Sequence, residues 1–190
     1  METIRIKTNS REYDVLVGEN LIEPDNFHDA YDKEVLLVAD NGIPTNFIEK
    51  IEMILKERSS KFHSIRMLAT EEKKSFSSLQ EIHDSLMEMG YSRECIIYAI
   101  GGGIICDMTG FAAATYQRGV DFILIPSTLL SQVDASVGGK TAINHKKGKN
   151  MIGAFHQPKK VITDISFLKS LQPRQLTDGL SEIIKHAIIL

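Results

Sequence analysis

The spacing of hydrophobic and polar residues changes along the chain, and each pattern predicts a different kind of element. Residues 3–7 and 13–17 alternate apolar and polar positions around a short polar stretch, which predicts a β-hairpin. Short runs rich in apolar residues and bounded by turns predict buried strands of a parallel sheet, and they occupy residues 34–39, 62–68, 95–100, 122–125 and 161–164.

Apolar residues at helical spacing occupy much of the sequence between these strands. They predict helices over residues 44–58, 75–89 and 105–115. Strands that alternate with helices indicate an α/β fold. We therefore expect a Rossmann-like parallel sheet flanked by helices, preceded by the N-terminal hairpin.

The last segment, from Pro173 to Leu190, also has a helical pattern, and it contains no Gly or Pro that would end the helix near Leu190. Its apolar positions form a broad face that needs a packing partner, and they are Leu176, Leu180, Ile183, Ile184, Ala187 and Ile188. We expect residues 1–172 to form the α/β domain. Residues 173–190 would then be the first helix of an all-α domain that this sequence cuts short.

The composition excludes several classes of protein. Of the 190 residues, 43% are hydrophobic and 25% are charged, which excludes a disordered or collagen-like chain. No apolar run approaches the roughly 20 residues that a membrane span requires, and the N-terminus lacks the apolar region of a signal peptide. Cys95 and Cys106 are the only cysteines, which argues against a disulfide framework or a CxxC metal site. We expect a soluble, cytoplasmic protein.

Positive charge and glycine are concentrated in one part of a chain whose net charge is −3. Between Asp134 and Asp164 there is no acidic residue, but there are six lysines: Lys140, Lys146, Lys147, Lys149, Lys159 and Lys160. Nine of the 13 glycines lie between Gly101 and Gly153. This combination fits either a site for phosphorylated small molecules or a solvated basic face. Nucleic acid is a weaker alternative, because the stretch has few aromatic residues and the whole chain is acidic.

The sequence GGGIICD, residues 101–107, follows a buried strand and opens a predicted helix. A phosphate-binding turn requires this context, because backbone N–H groups at a helix N-terminus attract anions. The motif is only part of a Rossmann fingerprint, since Cys106 occupies the third glycine position. The motif by itself leaves two interpretations open, a dinucleotide site and a tight structural turn.

Two further patterns are candidate sites. Gly138, Gly139, Lys140 and Thr141 resemble the end of a Walker A loop, but the first glycine of that motif would fall on Asp134, which excludes a P-loop. Glu182 and His186 are four positions apart on the predicted last helix and share a face. Such a pair either binds zinc, with a third ligand from elsewhere, or is simply exposed.

Three long strings in the last 90 residues resemble the 3-dehydroquinate synthase family: GGGIICDMTGFAAATYQRG, PSTLLSQVDASVGGKTAINHKKGKNMIGAFHQP and LTDGLSEIIKHAIIL. The first 90 residues resemble it more loosely. The resemblance implies an N-terminal α/β domain that binds NAD and an α-helical C-terminal domain, usually in a homodimer with the active site between the domains. It also implies a shikimate-pathway lyase that converts DAHP, a seven-carbon keto-acid sugar phosphate, into 3-dehydroquinate and phosphate, with NAD and a divalent metal, zinc or cobalt.

The resemblance assigns roles to individual residues. The NAD contacts that it implies are Asp40, Glu71, Lys74, Gly102, Gly103, Ile104, Ile105, Cys106, Asp107, Ser127, Thr128, Lys140, Lys149, Phe167, Leu168, Lys169 and Ser170. The substrate residues that it implies are Asp134, Lys140, Lys149, Asn150 and Lys185, with Arg118 reaching a substrate phosphate across a dimer interface. Glu182 matches the one metal ligand of this part of the family pattern, and His186 is expected to be a bystander.

Two features set this chain apart from the family pattern. Cys106 replaces a glycine beside the phosphate turn, and its side chain is expected to point into the contact between helix and sheet. The two histidines that complete the family's metal site would lie beyond Leu190. We therefore expect the 190-residue chain to be inactive alone. The alternatives are another sugar phosphate cyclase and a non-catalytic module for NAD binding or dimerisation.

Overall fold

A seven-stranded sheet forms the centre of the molecule in a computed structural model that describes residues 1–189. Its strand order is β1-β2-β9-β6-β5-β3-β4, and every pair is parallel except β1 with β2, which form the predicted hairpin. The strands of this sheet are β1 (Glu2–Lys7), β2 (Glu12–Gly18), β3 (Glu34–Asp40), β4 (Lys61–Met67), β5 (Ile96–Gly101), β6 (Asp121–Pro126) and β9 (Lys160–Asp164).

Helices cover both faces of the sheet, as the continuous apolar strands predict. The long helices are α1 (Thr45–Arg58), α2 (Phe76–Glu88), α3 (Gly103–Thr115) and α4 (Pro173–Ile189). One apolar core packs α2 and α3 against the sheet, and the other core packs α1 against the opposite face. All six residues of β5 are buried, because this strand lies in the middle of the sheet and is covered on both faces. The predicted α/β fold is confirmed.

A second hairpin, which the sequence analysis did not predict, lies over α3. It consists of β7 (Lys140–His145) and β8 (Gly148–Phe155), paired antiparallel. Residues 149–151 near its start are exposed, and half-buried and exposed residues alternate only over residues 152–155. Gly148 and Gly153 within the strand, and the lysines around it, are typical of a loop, and the strand was therefore missed.

The helical turn between β6 and β7 is in contact with helix α4. Residues after β6 enter a helical turn that widens into a π-turn at Ser131–Ala135. Helix α4 rests on this turn at Gly179, where a Cβ atom would lie 2.5 Å from Leu129 Cγ. Leu180, Ile184 and Ile188 on α4 are exposed. Leu190, the last residue of the predicted helical segment, lies outside the described residues, and within residues 1–189 no helix has the length and apolarity to cross a membrane.

Candidate functional site

The helices that follow the neighbouring strands β3 and β5 pack on opposite faces of the sheet. Helix α1, which follows β3, packs in one core, and α3, which follows β5, packs in the other. In parallel sheets, a crevice opens outside the carboxyl ends of two such strands, and ligands bind there. Asp40 ends β3 and Gly101 ends β5, so the predicted NAD contact Asp40 and the glycine turn flank this crevice.

The glycine turn is closely packed by its neighbours. A Cβ atom at Gly101 would lie 2.6 Å from Ile105 Cβ, one at Gly102 would lie 3.3 Å from Thr128 Cγ2, and one at Gly103 would lie 3.4 Å from Ala135 Cβ. Helix α3 begins at Gly103, and the first N–H groups of a helix have no partner within it. The turn therefore offers free backbone donors, which suit a phosphate.

Cys106 lies away from the open side of this turn. Its side chain is buried in the core between α3 and the sheet, where Sγ donates to the Gly101 carbonyl oxygen at 3.7 Å. Burial raises the pKa of the Cys106 thiol, and so the group is neutral at physiological pH. The side chain that replaces the family's glycine thus fills the contact between helix and sheet.

A small cavity of about 110 Å³ is lined by residues that follow β3, β6 and β9, and several of them are predicted cofactor residues. Asp40, Ser127, Thr128, Phe167 and Ser170 line it together. One Asp40 oxygen, Oδ1, accepts a hydrogen bond from Gly42 N at 2.9 Å, which fixes the carboxylate. Leu168 and Lys169 do not line this cavity. The ammonium group of Lys169 lies 3.9 Å from Glu19 Oε1.

A larger cavity of about 490 Å³ lies between α3, the π-turn and the second hairpin. Asp107, Asp134, Lys140 and Asn150 line it. Asp107 was predicted as a cofactor residue, and the other three were predicted to contact substrate. A residue predicted to bind the cofactor and three predicted to bind the substrate therefore line one cavity, at the carboxyl side of β5.

Glu71 and Lys149 connect the second hairpin to the segment before α2. Lys149 Nζ lies 3.1 Å from Glu71 Oε2, and Asn144 Nδ2 donates to the same oxygen at 3.1 Å. The hydrogen bond from Lys149 lowers the pKa of Glu71. Lys149 has 74% of its side chain exposed and does not line the larger cavity, although its neighbour Asn150 does.

Arg118 lies far from these cavities in the fold. It follows α3 and precedes β6, at the amino ends of the strands, where it lines a separate cavity of about 450 Å³ with Lys33, Arg93 and Lys159. Its backbone is left-handed, with a φ angle of 69°, and the side chain is exposed. Because Arg118 is at the opposite end of the sheet from Lys140, it does not join the substrate residues of its own chain.

Glu182 lies in a cluster with Asp134 and His186. One ligand atom from each of the three residues lies within 4.8 Å of the others, and His186 Nε2 is 3.3 Å from Glu182 Oε1. Lys185 also donates to Glu182 Oε1 and lowers the pKa of that carboxyl. Two carboxylates and an imidazole suit a first-row divalent metal. His186, expected to be a bystander, belongs to the same cluster as Glu182.

Comparison with known proteins places these features in a family. Residues 64–178 match the family model for the N-terminal part of 3-dehydroquinate synthase. The whole chain is 44% identical, over 191 residues, to a curated 3-dehydroquinate synthase from Shewanella loihica, and it spans about half of that relative, 53% of its length.

Solved structures of related cyclases share the fold. A 2-deoxy-scyllo-inosose synthase, in complex with carbaglucose-6-phosphate, NAD+ and Co2+, has a TM-score of 0.89 and 27% identity over 97% of this chain and 51% of its own. A 2-epi-5-epi-valiolone synthase from Streptomyces hygroscopicus subsp. jinggangensis, with NAD+ and Zn2+ bound, has a TM-score of 0.85 and 31% identity over 95% of this chain and 50% of its own. The family match covers more than half of the chain and includes the glycine turn and all the residues named above as lining the large cavity. This chain belongs to the 3-dehydroquinate synthase family.

Proposed function

We propose that this chain is the cofactor-binding half of a 3-dehydroquinate synthase, which converts DAHP into 3-dehydroquinate and phosphate. One observation carries this proposal. Asp107 belongs to the helix that the glycine turn opens, and it also lines the cavity of Asp134, Lys140 and Asn150. A cofactor on the turn would therefore lie beside a substrate in the cavity, as an enzyme that oxidises and reduces its substrate requires.

The residues at the crevice fit NAD. The free N–H groups at the start of α3 would hold the pyrophosphate, and Asp40 at the end of β3 would accept a hydrogen bond from a ribose hydroxyl. Ser127, Thr128, Phe167 and Ser170 line the small cavity beside Asp40 and would pack against the adenosine half. When bound, NAD+ supplies a reversible hydride acceptor.

The residues on α4 and the π-turn fit a divalent metal. Glu182 would be the central ligand, and Asp134 and His186 lie close enough to join it. Lys185 must release the carboxylate when a cation binds, and it is then free to contact the anionic substrate. A bound zinc or cobalt ion supplies a Lewis acid that polarises a hydroxyl group.

The polar groups of the large cavity fit an anionic sugar acid. Lys140 lines the cavity, and the exposed Lys149 is the neighbour of Asn150, which also lines it, so both lysines would attract the carboxylate or phosphate of DAHP. Asn150 offers an amide for a hydroxyl group. Arg118 lies at the other end of the sheet, and we infer that it reaches a substrate phosphate of a second copy in a homodimer.

We also propose that residues 1–172 form the NAD-binding domain and that residues 173–190 begin a helical domain. The exposed apolar residues Leu180, Ile184 and Ile188 on α4 support this division, as does a curated relative about twice as long as this chain. In this proposal, the 190-residue chain binds its cofactor but does not turn over DAHP by itself.

A chimaera tests the proposal. This chain would replace the matching part of the Shewanella loihica enzyme, and phosphate release from DAHP would be measured. We expect activity from the chimaera, none from the 190-residue chain alone, and none from a chimaera with Glu182→Gln. A folded chimaera that binds NAD+ but releases no phosphate would instead support a non-catalytic module. This chain shares 44% identity with the Shewanella loihica 3-dehydroquinate synthase but only 27% with the 2-deoxy-scyllo-inosose synthase and 31% with the 2-epi-5-epi-valiolone synthase. DAHP is therefore the first substrate to test.

A further inference from the structure

Two walls of the small cavity follow strands that separate before the cavity begins. Strands β6 and β9 pair over only two residues each, and the pairing stops two residues before β6 ends and three before β9 ends. Ser127 and Thr128 follow β6 and line one wall, whereas Phe167 and Ser170 follow β9 and line another. Ladder hydrogen bonds between β6 and β9 therefore do not fix the distance between these walls.

The side chain of Gln132 joins the ends of the two strands. Its Nε2 donates to the carbonyl oxygen of Pro126, which ends β6, and to that of Asp164, which ends β9, each at 3.1 Å. A side-chain amide has two N–H donors, so one nitrogen can serve both carbonyls. Gln132 is only 8% exposed, and the two hydrogen bonds are therefore largely shielded from water. One side chain thus spans the gap that the strand pairing leaves.

Both ends of this bridge are held by further hydrogen bonds. Asp164 is buried, and its Oδ2 accepts from Leu21 N at 2.7 Å. On the other side, Gln132 N donates to the Thr128 carbonyl oxygen at 2.9 Å, and the buried Ser131 Oγ accepts from Thr128 N at 3.1 Å. Because Thr128 lines the cavity, a change at Gln132 would be transmitted to the cavity wall.

We propose that Gln132 is a positioning residue, which fixes the separation of the two cavity walls and thereby sets the affinity of the chain for the adenosine half of NAD. This inference rests on the proposed function, in which that half packs beside Asp40 in the small cavity. Gln132 itself does not line the cavity, and so it acts through the segments that follow β6 and β9. The π-turn, which contains Gln132, is the element that brings its side chain to both strand ends.

The bridge requires an amide at position 132. Methionine has a similar length but no donor, and an ionised glutamate has the same shape but only accepts hydrogen bonds. Either replacement would leave the carbonyl oxygens of Pro126 and Asp164 without this donor. Glutamate would also place a negative charge beside them. In both variants the two strand ends would be free to move apart.

Calorimetric titration of the 190-residue chain with NAD+ and with ADP tests the inference on Gln132→Met and Gln132→Glu, with circular dichroism to confirm folding. We expect each variant to bind NAD+ about tenfold more weakly, as the loss of two buried hydrogen bonds implies. ADP contains the adenosine half without the nicotinamide, and its affinity should fall by the same factor. Gln80→Met is the matched control, because Gln80 is exposed on α2, and it should bind both ligands like the native chain.

A role in stability alone would lower the urea midpoint of Gln132→Met and leave its affinity for both ligands at the native value. That result would overturn the inference. A loss of NAD+ affinity that ADP does not share would also overturn it, because the effect would then lie outside the adenosine half.

Hydrogen exchange provides a second readout that needs no ligand. The Ser127 amide donates to the Gly101 carbonyl oxygen, and the Ser166 amide donates to Asp164 Oδ1, so one lies on each side of the bridge. Both amides should exchange at least about tenfold faster in Gln132→Met than in the native chain. Unchanged exchange at both would overturn the positioning role, whereas a native chain that bound no NAD+ would contradict the proposed function instead.

Discussion

Gly110 of α3 and Thr141 of β7 approach each other so closely that no side chain fits between them. A Cβ atom at Gly110 would lie 2.5 Å from Thr141 Cγ2 and 3.2 Å from Phe122 Cε2. This contact seats the second hairpin on α3, and the hairpin supplies Lys140 and Asn150 to the large cavity. The absence of a side chain at Gly110 thus determines the position of two predicted substrate residues.

Gly110→Ala should destabilise the chain by about 1–3 kcal/mol, because overpacking outweighs the better helix propensity of alanine. Thr141→Ser removes the obstructing methyl group but keeps the hydroxyl, which donates to the Ala154 carbonyl oxygen at 2.8 Å. In the Thr141→Ser background, Gly110→Ala should therefore lower the free energy of unfolding by less than half as much as it does in the native chain. Urea unfolding followed by circular dichroism gives these values. An alanine variant as stable as the native chain would show that the contact is loose.

Cys106→Gly restores the family's glycine but should not improve NAD+ binding. The thiol faces the core, so its removal leaves a cavity and a glycine inside a helix, at a cost of roughly 1–2 kcal/mol in unfolding free energy. The NAD+ dissociation constant should stay within about twofold of the native value. A clear gain in affinity for Cys106→Gly would mean that the cysteine obstructs the turn.

Asp121 should make the stability of the chain depend on pH in the acid range. Burial alone would raise the pKa of this carboxyl, but the hydrogen bonds and charges of Arg11, at 2.6 Å, and Lys159, at 3.0 Å, lower it. A lowered folded-state pKa contributes stability above the ordinary value of 3.8, and this contribution is lost as the pH falls below it.

The three side chains are about one-third exposed, so the contribution should be no more than about 1 kcal/mol. We expect Asp121→Asn to be less stable than the native chain at pH 7, and the difference to shrink as the pH falls below 3.8 and through the lowered pKa of Asp121. Urea midpoints across this range test the prediction. A difference between the two proteins that stays constant with pH would contradict it.

Divalent metal binding should depend on His186 as well as on Glu182. Both residues lie with Asp134 in one cluster, and so Glu182→Gln and His186→Ala should each weaken Co2+ binding at least about tenfold. The visible absorption of Co2+ reports both affinity and geometry. His28→Ala, at an exposed histidine elsewhere in the chain, is the control. If His186→Ala bound Co2+ with the native affinity, His186 would not be a metal ligand.

The parts of the fold that depend on local pattern could be predicted from the sequence. Strands β3 and β5 are continuous apolar runs because both faces of each are covered, and their bounds were predicted to within about two residues. The hairpin of β7 and β8 was missed, because both strands line a cavity and carry lysines, glycines and exposed residues instead of a buried apolar run. The residues of the glycine turn were found by their context after a buried strand.

The parts of the site that depend on distant contacts could not be predicted in the same way. The spacing of Glu182 and His186 showed that they share a helix face, but the approach of Asp134 depends on how Gly179 lets α4 rest on Leu129. Lys74 donates hydrogen bonds to Asp107 and Asn150, but the three residues come from three separate segments, and nothing in their local sequence indicates that they meet. Such contacts follow from the tertiary fold alone.

Calorimetric titration of the folded 190-residue chain with NAD+ is the decisive experiment. We expect saturable binding of one NAD+ per chain, weaker binding in Asp40→Ala, and at least about tenfold weaker binding of NADP+, because the Asp40 carboxylate would repel a ribose 2′-phosphate. A chain that folds, as circular dichroism would show, but does not bind NAD+ at millimolar concentration would contradict the claim that its crevice is a cofactor site.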